Sequence, residues 1–455
     1  MNQNTAFQTR KKTTMDNDNP DGKVIAAIDI GTTKIVAIVG KVLDSGKVEI
    51  MGMGKVDSHG VRRGVVLNID EAAGAIQEAV EQAEKQSGYD FKEVYVGIAG
   101  QHIKSMKNRH SRYINSPDNE ITQNDIDEML NDMQNIALDN GDEIIHVIPQ
   151  NYTVDKETGV KQPVGMSGKR LEANFHIVVA ETASAKNIFK SVERAGLKVK
   201  QMILEPIASS MAVLTEDEKE IGVAMVDIGG GTTDIAIYYD GILRHTAVIP
   251  FGGYVITKDI KDACGILQRQ AEKLKVDFGT ALGEAATDAV VSVKGVAGRE
   301  PKKITLKFLS KIIQARMEEI IHRVNFEIEN SGFAEKLGAG ISLTGGGALL
   351  KHLRQLMGYL TGLDTNVSYP NFLLNATDKE FNSPMYSTAI GLLISGYMQE
   401  IKHEVINPVE INTSEEDITD EEIEDDIVDE EPVNKIISNF KNFFSGMFED
   451  KSEKM

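Results

Sequence analysis

Two stretches of the chain repeat one hydropathy pattern. An apolar run rich in β-branched residues ends on an acid, a glycine turn and hydroxyls follow, and a second apolar run begins at once. The first copy is Ala27-Ile-Asp-Ile-Gly-Thr-Thr-Lys34 leading into Ile35–Val39, and the second is Met225-Val-Asp-Ile-Gly-Gly-Gly-Thr-Thr-Asp234 leading into Ile235–Tyr238. Both second runs read as return strands, so each copy predicts a β-hairpin with a glycine tip. Dinucleotide and P-loop sites differ, because there the glycine loop opens a helix. Elsewhere, apolar positions at helical spacing predict helices over Glu71–Gln86, Ala185–Ala195 (ended by Gly196), Thr257–Gly279 and Ile304–Ile328. Asn382–Leu393 is a further candidate helix, in which Gly391 would permit close packing. Gly340–Gly347 reads as a short strand and glycine turn, with a helix over Ala348–Leu356 straight after it. The strand Val94–Ile98 is expected to open a separate subdomain, and Gly283–Pro301 to form a variable loop.

The end of the chain has a different pattern. Within Val433–Phe448, the residues Ile436, Ile437, Phe440, Phe443, Phe444, Met447 and Phe448 fall at helical spacing. Projected at 100° per residue they fill one stripe about 140° wide. A helix of that length spans about 24 Å and carries a polar face, so it would lie in a membrane interface rather than cross it. Docking on the protein's own core is the alternative for any terminal amphipathic helix. The segment before it favours the membrane, because Glu404–Glu431 holds fourteen acids and no Lys or Arg. That composition predicts a solvated, self-repelling linker between the helix and the globular part. The same stretch carries most of the net charge of −20, leaving −6 for the rest of the chain.

The remaining composition narrows the class further. At 455 residues there is room for two or three domains. An acidic chain argues against nucleic acid as the main partner. The single cysteine, Cys264, fits a reducing compartment and reads as a small core residue. Residues 1–22 are polar and read as a disordered arm without a secretory signal, and no run reaches the length of a membrane-spanning helix, so a cytoplasmic location is expected.

The residue types at the hairpin tips suit a phosphate chain held from both sides. Gly31, Gly229, Gly230 and Gly231 let backbone amides approach phosphate oxygens. Thr32, Thr33, Thr232 and Thr233 offer hydroxyl donors, and Lys34 adds a positive charge. Asp29 and Asp227 would repel a phosphate placed against them, so their expected work is to hold hydrated Mg²⁺ through its waters. A single such turn would be an ordinary glycine hairpin; two copies with the acid at a strand end are not. Gly345, Gly346 and Gly347 offer a third glycine turn, suited to a nucleotide's sugar and phosphates. Glu272 and Lys275 share a helix face, which by spacing alone reads as a solvated ion pair.

Three glycine motifs in this order resemble the actin, sugar-kinase and heat-shock-70 ATPase superfamily. Ile121–Ile126, His146–Asp155, Gln162–Gly168, Leu214–Lys219 and Phe251–Thr257 narrow the resemblance to the bacterial FtsA cell-division family, over about Val24–Tyr397 and again at the C-terminal end. The resemblance implies an α/β, actin-like, two-lobed ATPase fold with an inserted subdomain in the first lobe. The implied parts are a first lobe over 23–92 with 171–205 and 385–400, and an insertion over 93–170. The second lobe would span 206–257 with 335–384, its upper subdomain 258–334, and the acidic linker 401–432. It implies ATP and Mg²⁺ as ligands, with Glu272 and Lys275 on the adenosine side and Gly345–Gly347 as the adenosine loop. Ile203-Leu-Glu-Pro206 resembles a hinge segment, which makes Glu205 and Asp234 candidates to orient an attacking water; the alternative is that both acids tune charge. The implied role is nucleotide-gated assembly with at most weak ATPase activity. Its implied partners are FtsZ, further copies of the chain, membrane lipids and later division proteins, at the cytoplasmic face of the septum. A sugar kinase would need a base and a pocket for an acceptor hydroxyl, and no motif supplies either.

Overall fold

The computed structural model describes residues 23–43, 47–295, 298–371 and 381–406. The N-terminal arm, most of the acidic linker and the amphipathic segment 433–448 lie outside the described residues.

The chain opens with β1 (Lys23–Ile30), β2 (Lys34–Val42) and β3 (Val48–Asp57), an antiparallel meander. A small hairpin, β4 (Val61–Arg62) and β5 (Val65–Val66), leads into helix α1 (Ile69–Ser87). Asn68 caps this helix by accepting from the Asp70 and Glu71 amides, and Gly88 ends it in the left-handed conformation at φ 70°. Strand β6 (Glu93–Ile98) then pairs parallel with β1. The next four strands are β7 (Ile103–Tyr113), β8 (Asp142–Val154), β9 (Glu157–Val160) and β10 (Arg170–Glu181), with α2 (Gln123–Gln134) between β7 and β8. They form a sheet of their own, in the order β7-β10-β8-β9. Helix α3 (Thr182–Arg194) and strand β11 (Lys198–Leu204) return to the first sheet, whose order is β11-β6-β1-β2-β3.

Helices α4 (Glu205–Val213) and α5 (Glu216–Ile221) lead to the second lobe. There β12 (Val223–Ile228), β13 (Thr233–Tyr239) and β14 (Ile242–Ile249) form a second antiparallel meander. Next come α6 (Gly253–Cys264), α7 (Gln268–Phe278), the hairpin β15 (Val290–Val293) and β16 (Lys302–Thr305), and the long α8 (Leu306–Ser331). β17 (Ile341–Thr344), α9 (Leu353–Thr361), β18 (Thr365–Val367) and α10 (Ser387–Ile406) complete the described chain. The second sheet runs β14-β13-β12-β17-β18, with β17 parallel to β12 and to β18. Each lobe is thus a three-stranded meander extended by two parallel strands on its first strand, and the repeated hairpins occupy equivalent places.

Helices α4 and α10 fill the space between the two sheets. Their apolar side chains, among them Ala208, Ala212, Ile390 and Leu393, share one core with Ala27 and Ile38 of the first sheet and Met225 and Ala236 of the second. The two helices touch at Gly391, where a Cβ would lie 1.7 Å from the Ala208 carbonyl oxygen, so the expected role of that glycine is met. The outer face of the first sheet packs on α1 and α3. Cys264 is buried in the core of the second lobe.

Several expected boundaries move. Val94–Ile98 does not open the insertion, because β6 is bonded between β1 and β11 inside the first-lobe sheet. The inserted sheet spans 103–181 rather than 93–170, so Leu171–Glu181 belongs to it and not to the first lobe. No hydropathy cue separates the two, since β6 and β10 are both apolar strands. The helix expected at Ala348 starts only at Leu353. A 3-10 turn fills Gly346–Leu349, and His352 at φ 61° breaks any continuous helix. The Thr257–Gly279 pattern is two helices interrupted at Gly265, which is left-handed at φ 59°, and α6 already begins at Gly253. The expected Gly283–Pro301 loop contains a 3-10 turn and β15. At the far end α10 continues to Ile406, past the expected start of the linker at 401.

Candidate nucleotide cleft

A cavity of about 480 Å³ lies between the lobes, within the size range of small-molecule sites. The first hairpin lines it with Asp29, Gly31, Thr32, Thr33 and Lys34, and the second with Asp227, Gly229, Gly230, Gly231, Thr232 and Asp234. Glu205, Glu272, Lys275, Gly345, Gly346 and Gly347 line it too. Of the expected site residues in the described chain, Thr233 alone is missing from the lining. It is fully buried and donates its hydroxyl to the Phe251 carbonyl at 2.8 Å, so it anchors the hairpin to the chain entering α6.

The hairpin tips meet across the cleft. A Cβ at Gly230 would lie 1.7 Å from Thr33 Oγ1, and one at Gly231 would lie 2.1 Å from Thr32 Oγ1. Only glycine fits there, which explains the second tip's extra glycines. The loop is also held from behind. The amides of Gly253 and Tyr254, at the start of α6, donate to the Gly229 and Gly230 carbonyls at 2.9 and 2.8 Å. On the first hairpin, Thr32 Oγ1 accepts from the Gly64 amide at 3.1 Å, so the β4–β5 turn folds over the tip. The third glycine turn packs on the end of β12: a Cβ on Gly345 would meet Asp227 Oδ1 at 2.1 Å.

Four carboxylates converge on this space. Asp227 and Asp234 are direct partners across the β12–β13 ladder, an arrangement that disfavours two like charges. Burial, opposed by Lys34 and assisted by Asp227, raises the Asp29 pKa to about 6. Burial also raises Asp227, even though Ser209 Oγ at 2.7 Å and Thr388 Oγ1 at 3.1 Å donate to its Oδ2. Glu205 and Asp234 are pushed well above the ordinary carboxylate range, first by burial and then by the neighbouring acids. Asp234 accepts from Thr232 Oγ1 at 3.1 Å through one oxygen, while its buried Oδ1 has no partner.

The cations are arranged less simply. Lys34 Nζ donates to the Met385 carbonyl and sits 4.9 Å from the Tyr386 ring centroid, so it is tied to the chain entering α10. Burial lowers its pKa. Glu272 and Lys275 form the expected ion pair at 2.9 Å. The pair is not merely solvated, because Lys275 also donates to the Gly253 carbonyl at 2.9 Å and to Thr257 Oγ1 at 2.8 Å.

The donor set fits a hydrated divalent cation beside a phosphate chain. Four acids converge at the hairpin tips, where Lys34 is tied to the Met385 carbonyl, one buried carboxylate oxygen lacks a partner, and the glycine tips leave a cradle that a Cβ would fill. Among the described residues, no group of three or more His, Cys, Asp or Glu is arranged to hold a metal directly.

Sequence reasoning missed Ser209, Thr388, Lys55 and Met385. They come from α4, β3 and the entry to α10, and nothing near them in sequence marks them as neighbours of Asp227 or Lys34.

Known proteins share the family and fold of this chain. The family model described as cell division protein FtsA matches residues 224–391, and that of the SHS2 domain inserted in FTSA matches residues 100–179, the span of the separate four-stranded sheet. The chain is 39% identical over 380 residues to the cell division protein FtsA of Pseudomonas aeruginosa, covering 83% of this chain and 90% of that one. It is 39% identical over 384 residues to that of Escherichia coli K12, covering 83% and 91%. For the Borreliella burgdorferi protein the identity is 34% over 380 residues, covering 83% and 92%. Among solved structures, the PilM–PilN type IV pilus biogenesis complex aligns with a TM-score of 0.60 at 14% identity, covering 82% of this chain and 98% of that one. MreB5 of Spiroplasma citri bound to ADP aligns with a TM-score of 0.50 at 14% identity, covering 84% and 98%. At such identity these two speak for the fold alone, which is actin-like with an SHS2 insertion. With relatives this similar along more than four-fifths of its length, the chain belongs to the FtsA family of cell-division proteins.

Proposed function

We propose that the cleft binds ATP with Mg²⁺, and that the protein self-assembles as an actin-like polymer and tethers FtsZ filaments to the cytoplasmic face of the membrane at the septum. The observation that supports nucleotide binding most strongly is the meeting of two glycine hairpins over one cavity, with Asp29, Glu205, Asp227 and Asp234 converging beside them. In this reading Gly31, Thr32, Thr33 and Gly229–Thr232 bind the phosphates, with Lys34 exchanging the Met385 carbonyl for a phosphate oxygen. Glu272 and Lys275 orient the adenosine end, and Gly345–Gly347 close over the nucleotide from the third side. Mg²⁺, when bound, supplies positive charge that offsets both the phosphates and the carboxylates. Asp29 and Asp227 hold its waters, and Ser209 and Thr388 fix the orientation of Asp227. Glu205 and Asp234 either orient a water or tune the charge of the site, and both uses agree with slow turnover at most.

The membrane part rests on the sequence of 433–448. Full burial of each large apolar side chain is worth about 1.5–3 kcal/mol, less when the burial is interfacial and the helix must also be ordered. One anchor therefore binds reversibly, and assembly multiplies the avidity. Liposome flotation of FtsZ filaments with ATP tests the proposal, comparing the full-length protein with a truncation ending at Pro432. FtsZ should float only with the full-length chain. Equal flotation with the truncation would overturn the membrane assignment, and no flotation with either would overturn the tether.

A further inference from the structure

Strand β8 of the inserted sheet has two irregularities. Its pairing with β10 passes from Ile144 to His146 and from Pro149 to Asn151, leaving Ile145 and Gln150 without partners on β10. Such bulges re-aim side chains out of a sheet. Here the residues they bracket reach into the body of the molecule. Ile145 packs against the outer core of the first lobe, and Ile148 against the core shared by the two lobes. His146 Nε2 accepts from the Leu204 amide at 3.0 Å. Gln150 Nε2 donates to the Leu243 carbonyl on β14 at 2.5 Å, and Arg244 Nη1 donates back to the Gln150 carbonyl at 3.3 Å. A few residues of one strand thus hold both the turn between β11 and α4 and the edge strand of the second lobe.

Leu204 is the residue before Glu205, and it is the N-cap of α4. His146 takes up the Leu204 amide at the turn that delivers Glu205 into the cleft. Burial holds the imidazole pKa down to about 4, which keeps the ring neutral and able to accept at neutral pH. Glu205 in turn sits against Gly97 of β6, where a Cβ would lie 3.0 Å from its Cγ and Oε1. With that little room, the angle of the turn decides where the carboxylate points.

We infer that His146 is a positioning residue that couples the inserted subdomain to the nucleotide cleft, so that nucleotide occupancy and a load on the inserted subdomain bias each other. The inference rests on the proposal that the cleft binds nucleotide. β8 is bonded both to the Leu204 turn and to β14, so any ligand-driven movement of one lobe against the other is transmitted to it. The coupling is reciprocal: a partner that moves β8 changes nucleotide affinity by the factor by which nucleotide changes that partner's affinity.

Hydrogen exchange on the full-length protein tests this, with and without Mg·ATP, in wild type, His146→Leu and His146→Gln. Gln restores an acceptor oxygen near the Nε2 position; Leu does not. In wild type, Mg·ATP should slow exchange both in the glycine tip 229–233 and in β8 over 145–150, the latter by about tenfold. His146→Leu should keep the tip protection and lose that of β8, and His146→Gln should recover it. Protection of the tip without any response in wild-type β8 would overturn the coupling, as would full retention of the β8 response in His146→Leu. Should His146→Leu fail to fold, His146→Asn, whose amide is too short to reach the Leu204 amide, takes its place, and full retention of the β8 response in that variant would likewise overturn the coupling. If Mg·ATP leaves even the tip unchanged in wild type, the nucleotide reading itself falls, and the coupling with it.

Discussion

Gly345 illustrates how little freedom single positions of the cleft have. Its φ is 82°, and a Cβ would lie 2.1 Å from Asp227 Oδ1 and 2.7 Å from the Ile228 carbonyl oxygen, so strain and collision coincide. Gly345→Ala should therefore push the third loop off β12 and weaken Mg·ATP binding by roughly a hundredfold, about 2.7 kcal/mol, as read by calorimetric titration. Asp29 offers a test with a sign. Its folded pKa of about 6 lies above its ordinary 3.8, because burial disfavours its charged form. The stability it contributes is fully present below about pH 4 and is lost as pH rises through 6. Asp29→Asn carries no such loss, so the variant should gain on wild type by up to roughly 3 kcal/mol between pH 4 and pH 8. Denaturant unfolding of both proteins without nucleotide, at the two pH values, measures that difference. Only the difference is diagnostic, because His146 and His176, both lowered by burial to about 4, move total stability the other way between pH 4 and 6.5. The acids and glycines of these hairpins were legible because each hairpin is one short run of sequence. Ser209 and Thr388 were not, because what makes them matter is a carboxylate that the chain brings to them from elsewhere.

At the scale of elements, α10 has the most to carry. Its start brings Thr388 to Asp227, its middle packs on α4 at Gly391, and Glu400 near its end accepts from Tyr95 Oη at 2.8 Å and pairs with Lys23 at 3.0 Å and with Lys200. Despite burial, those hydrogen bonds hold the Glu400 pKa down to about 2, so the cluster stays charged across the physiological range. One rod therefore joins the cleft to the point where the chain leaves for the acidic linker. Gly391→Ala should drive α10 away from α4 and lower the melting temperature by roughly 1–4 °C, since overpacking costs about 1–3 kcal/mol. An unchanged thermal melt would show that the two helices can part without cost. Resemblance pointed to the first part of this helix, and Gly391 was legible as a small residue suited to close packing. The stretch after Gly347 was misjudged, because the left-handed turn at His352 and the bridge from Thr280 to Lys351 are tertiary demands with no apolar spacing to reveal them.

Across the whole molecule, two lobes of matching topology share a core through α4 and α10, and the inserted sheet leans on both. Such an arrangement makes ligand binding a property of both lobes at once. Saturation with Mg·ATP at about a hundred times its dissociation constant should stabilise the protein by about 2.7 kcal/mol. Chelating the metal at constant ATP should reverse most of that gain, because the bare phosphates then face the buried acids. Thermal unfolding with and without chelator decides it, and an unchanged melting temperature would mean that the acids tolerate the nucleotide without a cation. The sequence by itself determined the two hairpins and the glycine turns, since each is written in a contiguous run whose spacing mirrors its local geometry, and its separate motifs together carried the resemblance to the family. Tertiary structure alone decided that Val94–Ile98 belongs to the first lobe, that Thr233 anchors rather than lines, and that Lys34 is held by Met385. It also decided that His146 reaches the turn before Glu205. The physical reason is the same in each case: hydrogen-bond partners far apart in sequence are chosen by how sheets and helices pack, and local spacing carries no record of that choice.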